Sequence, residues 1–252
     1  MKMEIVNMSV NKIIIFGDIH GRTAWKDVVM NEKWDAVVFL GDYVSTHENI
    51  SSQTQIGNLI DIMEFKEKHP DKVFLLRGNH DTQHLGYEWA ECSNLDTHVM
   101  KYMSEPVFKE RFLKNTQWLY KYKNYIMSHA GISTEWMRFY NIGSIDDINN
   151  IEPSRVFGFT PSTMFDMGGF SNTQPLTWIR PVQLFQFAVD GYNQIVGHTP
   201  LLIVESLLNK THACKISKSE EIFKIWFNDD MPNSYIVLTD DNNNIQIERK
   251  NI

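Results

Sequence analysis

Three short apolar runs in the first third of the chain each end at a polar segment that contains glycine. Residues 12–16, 36–40 and 73–76 are almost uninterrupted runs of Ile, Val, Leu, Ala and Phe, as expected for strands that are buried on both faces. The polar residues that follow them would therefore lie at the carboxyl ends of parallel strands, where open α/β sheets bind their ligands.

Helical segments are expected between and after these strands, so the pattern predicts an α/β protein. Apolar residues at near-helical spacing follow the start signal Ser51-Ser52 and stop before His69-Pro70, because proline cannot continue a helix. The other predicted helices cover residues 22–31, 99–112 and 134–140.

The second half of the chain gives weaker signals. Short strands are expected at 125–128 and at 195–196, and a C-terminal hairpin at 235–247 with its turn at 240–244. Between them, residues 141–174 are rich in Ser, Thr, Asn, Gly and Pro with scattered aromatic residues. We interpret this segment as a loop or small cap, and as a candidate substrate lid.

Length and composition favour one compact domain over residues 1–252, because 252 residues with 42% hydrophobic content can bury a large core. The N-terminus lacks the apolar segment of a signal peptide, and no apolar run approaches the roughly 20 residues needed to span a bilayer. We therefore expect a soluble, cytoplasmic protein with no membrane partner. Cys92 and Cys214 lie far apart without CxxC spacing, which predicts two free thiols.

The formal net charge of -7 argues against a broad nucleic-acid surface, because binding a polyanion requires many basic side chains. A small phosphorylated substrate remains compatible with this charge, since bound divalent cations and a few arginines can reverse the local potential.

The polar segments at the ends of the apolar runs supply ligands for metal ions. Carboxylate, amide and imidazole groups occur there in an order that is sufficient for two ions sharing one bridging carboxylate, with Asp42 as the candidate bridge. Mixed oxygen and nitrogen ligation suits manganese, and also iron, zinc, cobalt or nickel. The candidate metal ligands are Asp18, His20, Asp42, Asn79, His129 and His198.

Three further residues fit phosphate chemistry. Arg77 and Arg180 can neutralise phosphoryl oxygens with forked hydrogen bonds. His80 follows the candidate ligand Asn79 and is our candidate for the acid that protonates the leaving oxygen.

The ordered motifs Gly-Asp-Ile-His-Gly, Gly-Asp-Tyr-Val, Arg-Gly-Asn-His-Asp, Ser-His-Ala-Gly and Gly-His-Thr-Pro extend from residue 17 to residue 200. As a set they resemble the signature of the calcineurin-like metallophosphoesterases. The most similar subgroup comprises the phosphoprotein phosphatases and the symmetrical diadenosine tetraphosphatases. This resemblance implies a four-layer αββα sandwich of two mixed β-sheets, with a dimetal site along one edge.

The resemblance also implies a role for each matched residue. Asp18 and His20 would bind the first metal, and Asp42 would bridge both metals. Asn79, His129 and His198 would bind the second metal, His80 would be the general acid and Arg77 a phosphate ligand. Arg180 is a looser match to a phosphate-binding arginine.

The sequence departs from the family pattern after Val44, where Ser45 and Thr46 replace an Asp-Arg pair. In the family that Asp supports the catalytic histidine and that Arg holds phosphate. Arg22 or His47 are the candidates to replace the missing cation, and we hypothesise a shifted substrate preference.

Three functional classes fit these observations. The first is a phosphomonoesterase that acts on phosphorylated protein or a small molecule, similar to the Ser/Thr protein phosphatases, and this is our main prediction. The second is a dinucleoside polyphosphate hydrolase, which the Asn-His-Asp motif favours slightly. A phosphodiesterase or nuclease fits the acidic net charge less well. The third is a non-catalytic metal-binding module, which the complete ligand set argues against.

Overall fold

A computed structural model of the chain describes residues 10–87, 92–153, 171–208, 212–216, 222–229 and 233–252. Within these ranges no helix is long and apolar enough to cross a membrane. The strands are β1 Lys12–Phe16, β2 Ala36–Phe39, β3 Val73–Leu76, β4 Thr116–Gln117, β5 Leu119–Tyr122, β6 Tyr125–Ser128, β7 Asn193–Pro200, β8 His212–Ile216, β9 Ile222–Asp229, β10 Ser234–Asp241 and β11 Asn244–Asn251. The helices are α1 Trp25–Asn31, α2 Ser52–Lys68, α3 Asn79–His84, α4 Thr97–Met103, α5 Pro106–Asn115, α6 Thr134–Phe139, a 3-10 helix Ile145–Asn150, α7 Pro181–Phe187 and α8 Leu201–Leu208.

The described strands form two mixed sheets. The first has the order β11-β10-β1-β2-β3-β4, with β1 to β4 parallel and β10 antiparallel to both of its neighbours. The second has the order β5-β6-β7-β9-β8. Its three central strands are parallel, and the edge strands β5 and β8 are antiparallel to them.

Alternating side chains of β1 show how the layers stack. Ile13 and Ile15 pack in one buried cluster with Met127 and Ile195 of the second sheet. Their neighbours point to the opposite face, because successive side chains of a strand alternate, and they pack against the helices of the first sheet. The two sheets therefore face each other across a shared apolar core.

The outer face of the second sheet is covered in the same way. Val196 of β7 and Phe227 of β9 pack with Leu184 of α7 and Val204 of α8. The layers run helix, sheet, sheet, helix, and the predicted αββα class is confirmed.

The strand predictions from apolar runs agree closely with the structure. β1, β3 and β6 have the expected bounds, and β2 is one residue shorter. The C-terminal hairpin is confirmed but longer than expected. Its two-residue turn is made by Asn242 and Asn243, whose φ angles of 51° and 74° match the left-handed backbone that tight hairpins prefer.

Two helix predictions need correction. The segment 99–112 is not one helix, because Pro106 begins a new helix and its ring cannot follow a continuous helical turn. The first helix starts at Trp25, since the N–H of Arg22 is used in a turn with Ile19 O at 2.9 Å.

Two other predictions were incomplete. The strand predicted at 195–196 is the eight-residue β7. The segment 141–174 contains the 3-10 helix, and residues 154–170, on which the lid prediction depends, lie outside the described residues.

Candidate metal centre

The six candidate ligands come from both sheets and lie close together at one edge of the sandwich. Five of them are buried, and His20 is partly exposed. Asp18, Asp42 and Asn79 follow three neighbouring parallel strands of the first sheet, whereas His129 and His198 come from β6 and β7 of the second. The edge where the sheets meet thus positions all six.

The candidate metal-binding atoms form two groups that share one residue. The carboxylates of Asp18 and Asp42 lie with His20 in a group whose ligand atoms are all within 4.8 Å of one another. Asp42 also forms a second group of the same dimensions with His129 and His198. A carboxylate that belongs to both groups is suited to bridge two ions.

Asn79 adds a neutral oxygen to the second group. Its Oδ1 lies 2.9 Å from His129 Nε2 and 3.1 Å from His198 Nδ1. His129 Nε2 is also 3.4 Å from Asp42 Oδ2. Two imidazole nitrogens, a carboxylate and an amide oxygen thus converge on one small volume.

The backbone is strained where it presents these ligands. His20, Asp42 and His198 have φ angles of 47°, 50° and 66°, a left-handed region that non-glycine residues seldom occupy and that costs about 1–3 kcal/mol each. A Cβ on Gly197 would lie 2.3 Å from Asp18 Oδ1, so this position requires glycine. Such strain is typical of functional sites.

Backbone groups orient the ligand side chains. His20 Nδ1 lies 3.1 Å from Val44 O, and His129 Nδ1 lies 2.9 Å from Leu40 O. A ring nitrogen that donates to a carbonyl fixes the tautomer and leaves the other nitrogen available for a metal. Asp18 Oδ1 accepts the backbone N–H of His198 at 2.9 Å.

Burial sets the protonation of the metal-free centre. It raises the pKa of Asp18 and of Asp42 well above the usual value, and the charge of Asp229 raises both further. Burial also lowers the pKa of His20 to about 4 and lowers the pKa of His198. Neutral imidazoles are the form that binds metals, and divalent cations would compensate the carboxylate charges. The donor set therefore fits two divalent cations.

His80 lies beside the carboxylate of Asp42, the candidate bridge. Its backbone N–H donates to Asp42 Oδ1 at 2.9 Å, and its Nε2 is 3.9 Å from Asp42 Oδ2. Among the described residues, its buried Nδ1 has no hydrogen-bond partner. Ser45 does not provide one, since its hydroxyl donates to Asn94 O at 2.7 Å. Ser45 therefore supplies no hydrogen-bond partner to the ring of His80 among the described residues.

The three arginines considered from the sequence differ in position. Arg180 lines the cavity that contains the ligands. Arg22 lies nearby, but its Nε donates to Glu48 at 2.8 Å, so its guanidinium is already paired.

The structure does not bring Arg77 to this cavity. Its buried guanidinium donates to the hydroxyl and carbonyl of Thr116 at 2.8 and 2.6 Å and to Leu113 O at 3.0 Å. It also lies over the ring of Trp118, at 4.6 Å from the centroid. These contacts point the guanidinium away from the candidate ligands, so the structure does not support the phosphate contact predicted for Arg77.

Sequence reasoning assigned no role to three residues near the centre. Asp229 and Cys92 line the cavity, and Asp81 lies buried behind Asp42. Asp81 belongs to the Gly-Asn-His-Asp motif, so a signal for it was present. Nothing in the local sequence marks Cys92 or Asp229.

The cavity has a volume of about 350 Å³. Trp178 and Ile203 add apolar surface to its lining, and His47 lies there with the candidate ligands and Arg180. Among the described lining residues, Arg180 is the only arginine or lysine. Its positive charge faces Asp18, Asp42 and Asp229.

An αββα sandwich that presents two ligand groups with a shared carboxylate defines the class of dinuclear metal-dependent hydrolases. The family model for calcineurin-like phosphoesterases matches residues 11–230, and the chain belongs to this family. Members of the family use a dimetal centre and act on phosphorylated substrates, and the chain is a metal-dependent phosphoesterase.

Solved structures show the same fold. A protein serine/threonine phosphatase from Saccharomyces cerevisiae, described as similar to human phosphatase PP5, is 14% identical with a TM-score of 0.58; the match covers 97% of this chain and 81% of that one. A cold-active protein tyrosine phosphatase is 17% identical with a TM-score of 0.55, over 96% of this chain and 78% of that one. No curated protein matches this chain by sequence.

Proposed function

We propose that the protein hydrolyses phosphate monoesters at a dinuclear centre, with Asp18 and His20 on the first metal and Asn79, His129 and His198 on the second. The observation that carries this proposal is the membership of Asp42 in both ligand groups. Two divalent cations bound there would acidify a water molecule and stabilise charge on the phosphoryl oxygens. Manganese is our first choice of metal, because the ligands mix oxygen and nitrogen.

The protein's own side chains supply the remaining steps. Arg180 binds a phosphoryl oxygen and neutralises the charge that develops on it. His80 donates a proton to the leaving oxygen. Burial, and then the neighbouring histidines, lower the pKa of His80 in the metal-free protein, so its role as an acid would require the negative charge of a bound phosphoryl group to favour the protonated ring.

The charge distribution favours a single phosphoryl group over a polyphosphate chain. Arg180 is the only arginine or lysine among the described cavity residues, and Asp229 adds a negative charge. Arg77 points elsewhere and Arg22 pairs with Glu48. A dinucleoside polyphosphate would require more cations than these, since each additional phosphate adds charge in a partly buried cavity.

A substrate panel tests the proposal. Manganese-reconstituted protein should hydrolyse p-nitrophenyl phosphate faster than its bis ester and faster than diadenosine tetraphosphate. Asp42→Asn and His129→Ala should abolish turnover, whereas His98→Ala, which changes an exposed histidine outside the cavity, should not. A preference for diadenosine tetraphosphate would support the polyphosphate hydrolase, and no turnover of any ester would support a binding module.

A further inference from the structure

Asp81 is a fully buried carboxylate that joins two ligand-bearing loops. Its Oδ2 accepts the backbone N–H groups of Asp42 and Gly78, both at 2.8 Å, and its Oδ1 accepts that of Tyr43 at 2.9 Å. Asp42 and Tyr43 follow β2, whereas Gly78 immediately precedes α3. One side chain therefore connects the loop of the bridging carboxylate to the loop that carries Asn79 and His80.

The orientation of Asp42 depends on this connection. Its φ of 50° is a conformation that must be held by surrounding contacts. The carboxylate of Asp42 lies against Gly78, where a Cβ would be 2.0 Å from Oδ1, and accepts the N–H of His80 at 2.9 Å. A shift of the α3 loop would thus move the oxygens that face both ligand groups.

We propose that Asp81 is a positioning residue that holds Asp42 in the geometry needed to bridge two metal ions. Three backbone N–H donors require acceptors, and both oxygens of a carboxyl group can accept them, whereas an amide places N–H protons on one side. Any carboxamide at this position would therefore direct a donor at one of the three backbone donors. The inference rests on the proposed function, because it takes Asp42 as the bridge.

Asp81→Asn tests the proposal by metal binding, without reliance on turnover. The parent protein, titrated with Mn²⁺, should bind two ions per chain and give the EPR spectrum of an exchange-coupled pair. In Asp81→Asn we expect the coupled spectrum to be lost and the affinity for one ion to fall about tenfold or more.

Asp35→Asn is the matched control. The carboxylate of Asp35 also accepts two backbone N–H groups, those of Asn11 and Lys12 at 3.0 and 2.9 Å, but it lies away from the cavity. The Asp35→Asn variant should bind two Mn²⁺ ions per chain and give the same coupled EPR spectrum as the parent protein. Asp81→Asn with parental affinity and coupling would overturn the proposal, and so would equal losses in both folded variants.

A second variant decides the question if Asp81→Asn does not fold, as judged by circular dichroism. Asp81→Glu keeps the charge but displaces the carboxylate by one methylene, so we expect a folded protein with weakened coupling and affinity. Parental metal binding in Asp81→Glu would then refute the positioning role. Failure of the proposed function is distinguishable, because in that case the parent itself would not bind two coupled ions.

Discussion

The side-chain amide of Asn79 donates to Sγ of Cys92 at 3.2 Å, and this contact leaves Oδ1 facing His129 and His198. Cys92 is itself fixed by its backbone N–H, which donates to Gln83 Oε1 at 3.0 Å. A buried thiol thus orients the only amide among the candidate metal ligands.

We expect Cys92→Ala to weaken binding of the second metal ion about tenfold, because removing an outer partner of a ligand typically has an effect of this size. Cys92→Ser should retain more affinity, since its hydroxyl can accept the same hydrogen bond. Calorimetric titration with Mn²⁺ measures both variants. An affinity of Cys92→Ala for Mn²⁺ equal to that of the parent would show that the contact with Cys92 does not orient Asn79 for metal binding.

Arg180 should affect substrate binding without affecting the metals. We expect Arg180→Ala to reduce kcat/KM for a phosphate monoester by roughly 10- to 100-fold, the value of a hydrogen bond to a charged group. Arg138→Ala is the control, because Arg138 is exposed and pairs only with its neighbour Glu135 on α6 among the described residues. Metal analysis of both variants should give the parental stoichiometry; loss of metal in Arg180→Ala would contradict a substrate role.

Arg77, in contrast to Arg180, should affect the stability of the protein and not substrate binding. Arg77→Met removes donors from the buried acceptors of Thr116 and Leu113, so we expect the free energy of unfolding to fall by about 2–4 kcal/mol. Urea denaturation measures this loss, and kcat/KM of the folded variant should stay close to that of the parent. A large fall in kcat/KM with unchanged stability would instead restore the phosphate role that the sequence suggested.

The metal-free protein should become less stable as the pH rises from 6.5 to 8. Burial raises the pKa of Asp81 to about 7 and that of Asp18 and Asp42 above the usual value of 3.8. In this range the folded state binds more protons than the unfolded state, so the free energy of unfolding falls with rising pH. Histidines with a lowered pKa, such as His20, oppose this slope near pH 6.5, where the unfolded state still binds protons on them, so the fall in stability is expected in the upper part of the range, where these histidines are neutral in both states.

Mn²⁺ should reverse this trend, because the ions replace the protons on the carboxylates. A Mn²⁺ concentration one hundred times the Kd adds about 2.7 kcal/mol per site to the free energy of unfolding. At one fixed Mn²⁺ concentration this stabilisation should be larger at pH 8 than at pH 6.5, because fewer protons compete for the carboxylates. Urea denaturation with and without Mn²⁺ at both pH values is the measurement. A free energy of unfolding of the metal-free protein that rises over this pH range would contradict the raised pKa values of the buried carboxyl groups.

The convergence of most candidate ligands at one place was predictable from a local signal, the end of an apolar strand, although His198 lies within β7. Asp18, Asp42 and His129 lie where parallel strands end, and parallel strands bring such residues to one edge. The break at Pro106 also had a local signal, which the apolar spacing of residues 99–112 obscured. These features depend on residues within a few positions of each other.

The remaining features depend on contacts between distant segments. The orientation of the Arg77 side chain is set by its hydrogen bonds to Thr116, which lies 39 positions away. The hydrogen bond between Asp81 and Asp42 spans the same separation. The contact of Cys92 with Asn79 joins residues that are 13 positions apart. No local pattern encodes these pairs, so a single sequence could not reveal them.

The replacement of Asp-Arg by Ser45-Thr46 gives a last expectation. Ser45 has a φ of 68°, and its hydroxyl binds Asn94 O, while the buried Nδ1 of His80 lacks a hydrogen-bond partner among the described residues. An aspartate tolerates this backbone conformation better than most residues. We expect Ser45→Asp/Thr46→Arg to restore an acceptor for His80 and a cation for phosphate, and so to raise kcat/KM for a phosphate monoester relative to a diester. Steady-state kinetics across the substrate panel measures the ratio, with Thr46→Arg alone separating the added charge from the histidine partner. An unchanged ratio in the double variant would show that this loop does not set substrate preference.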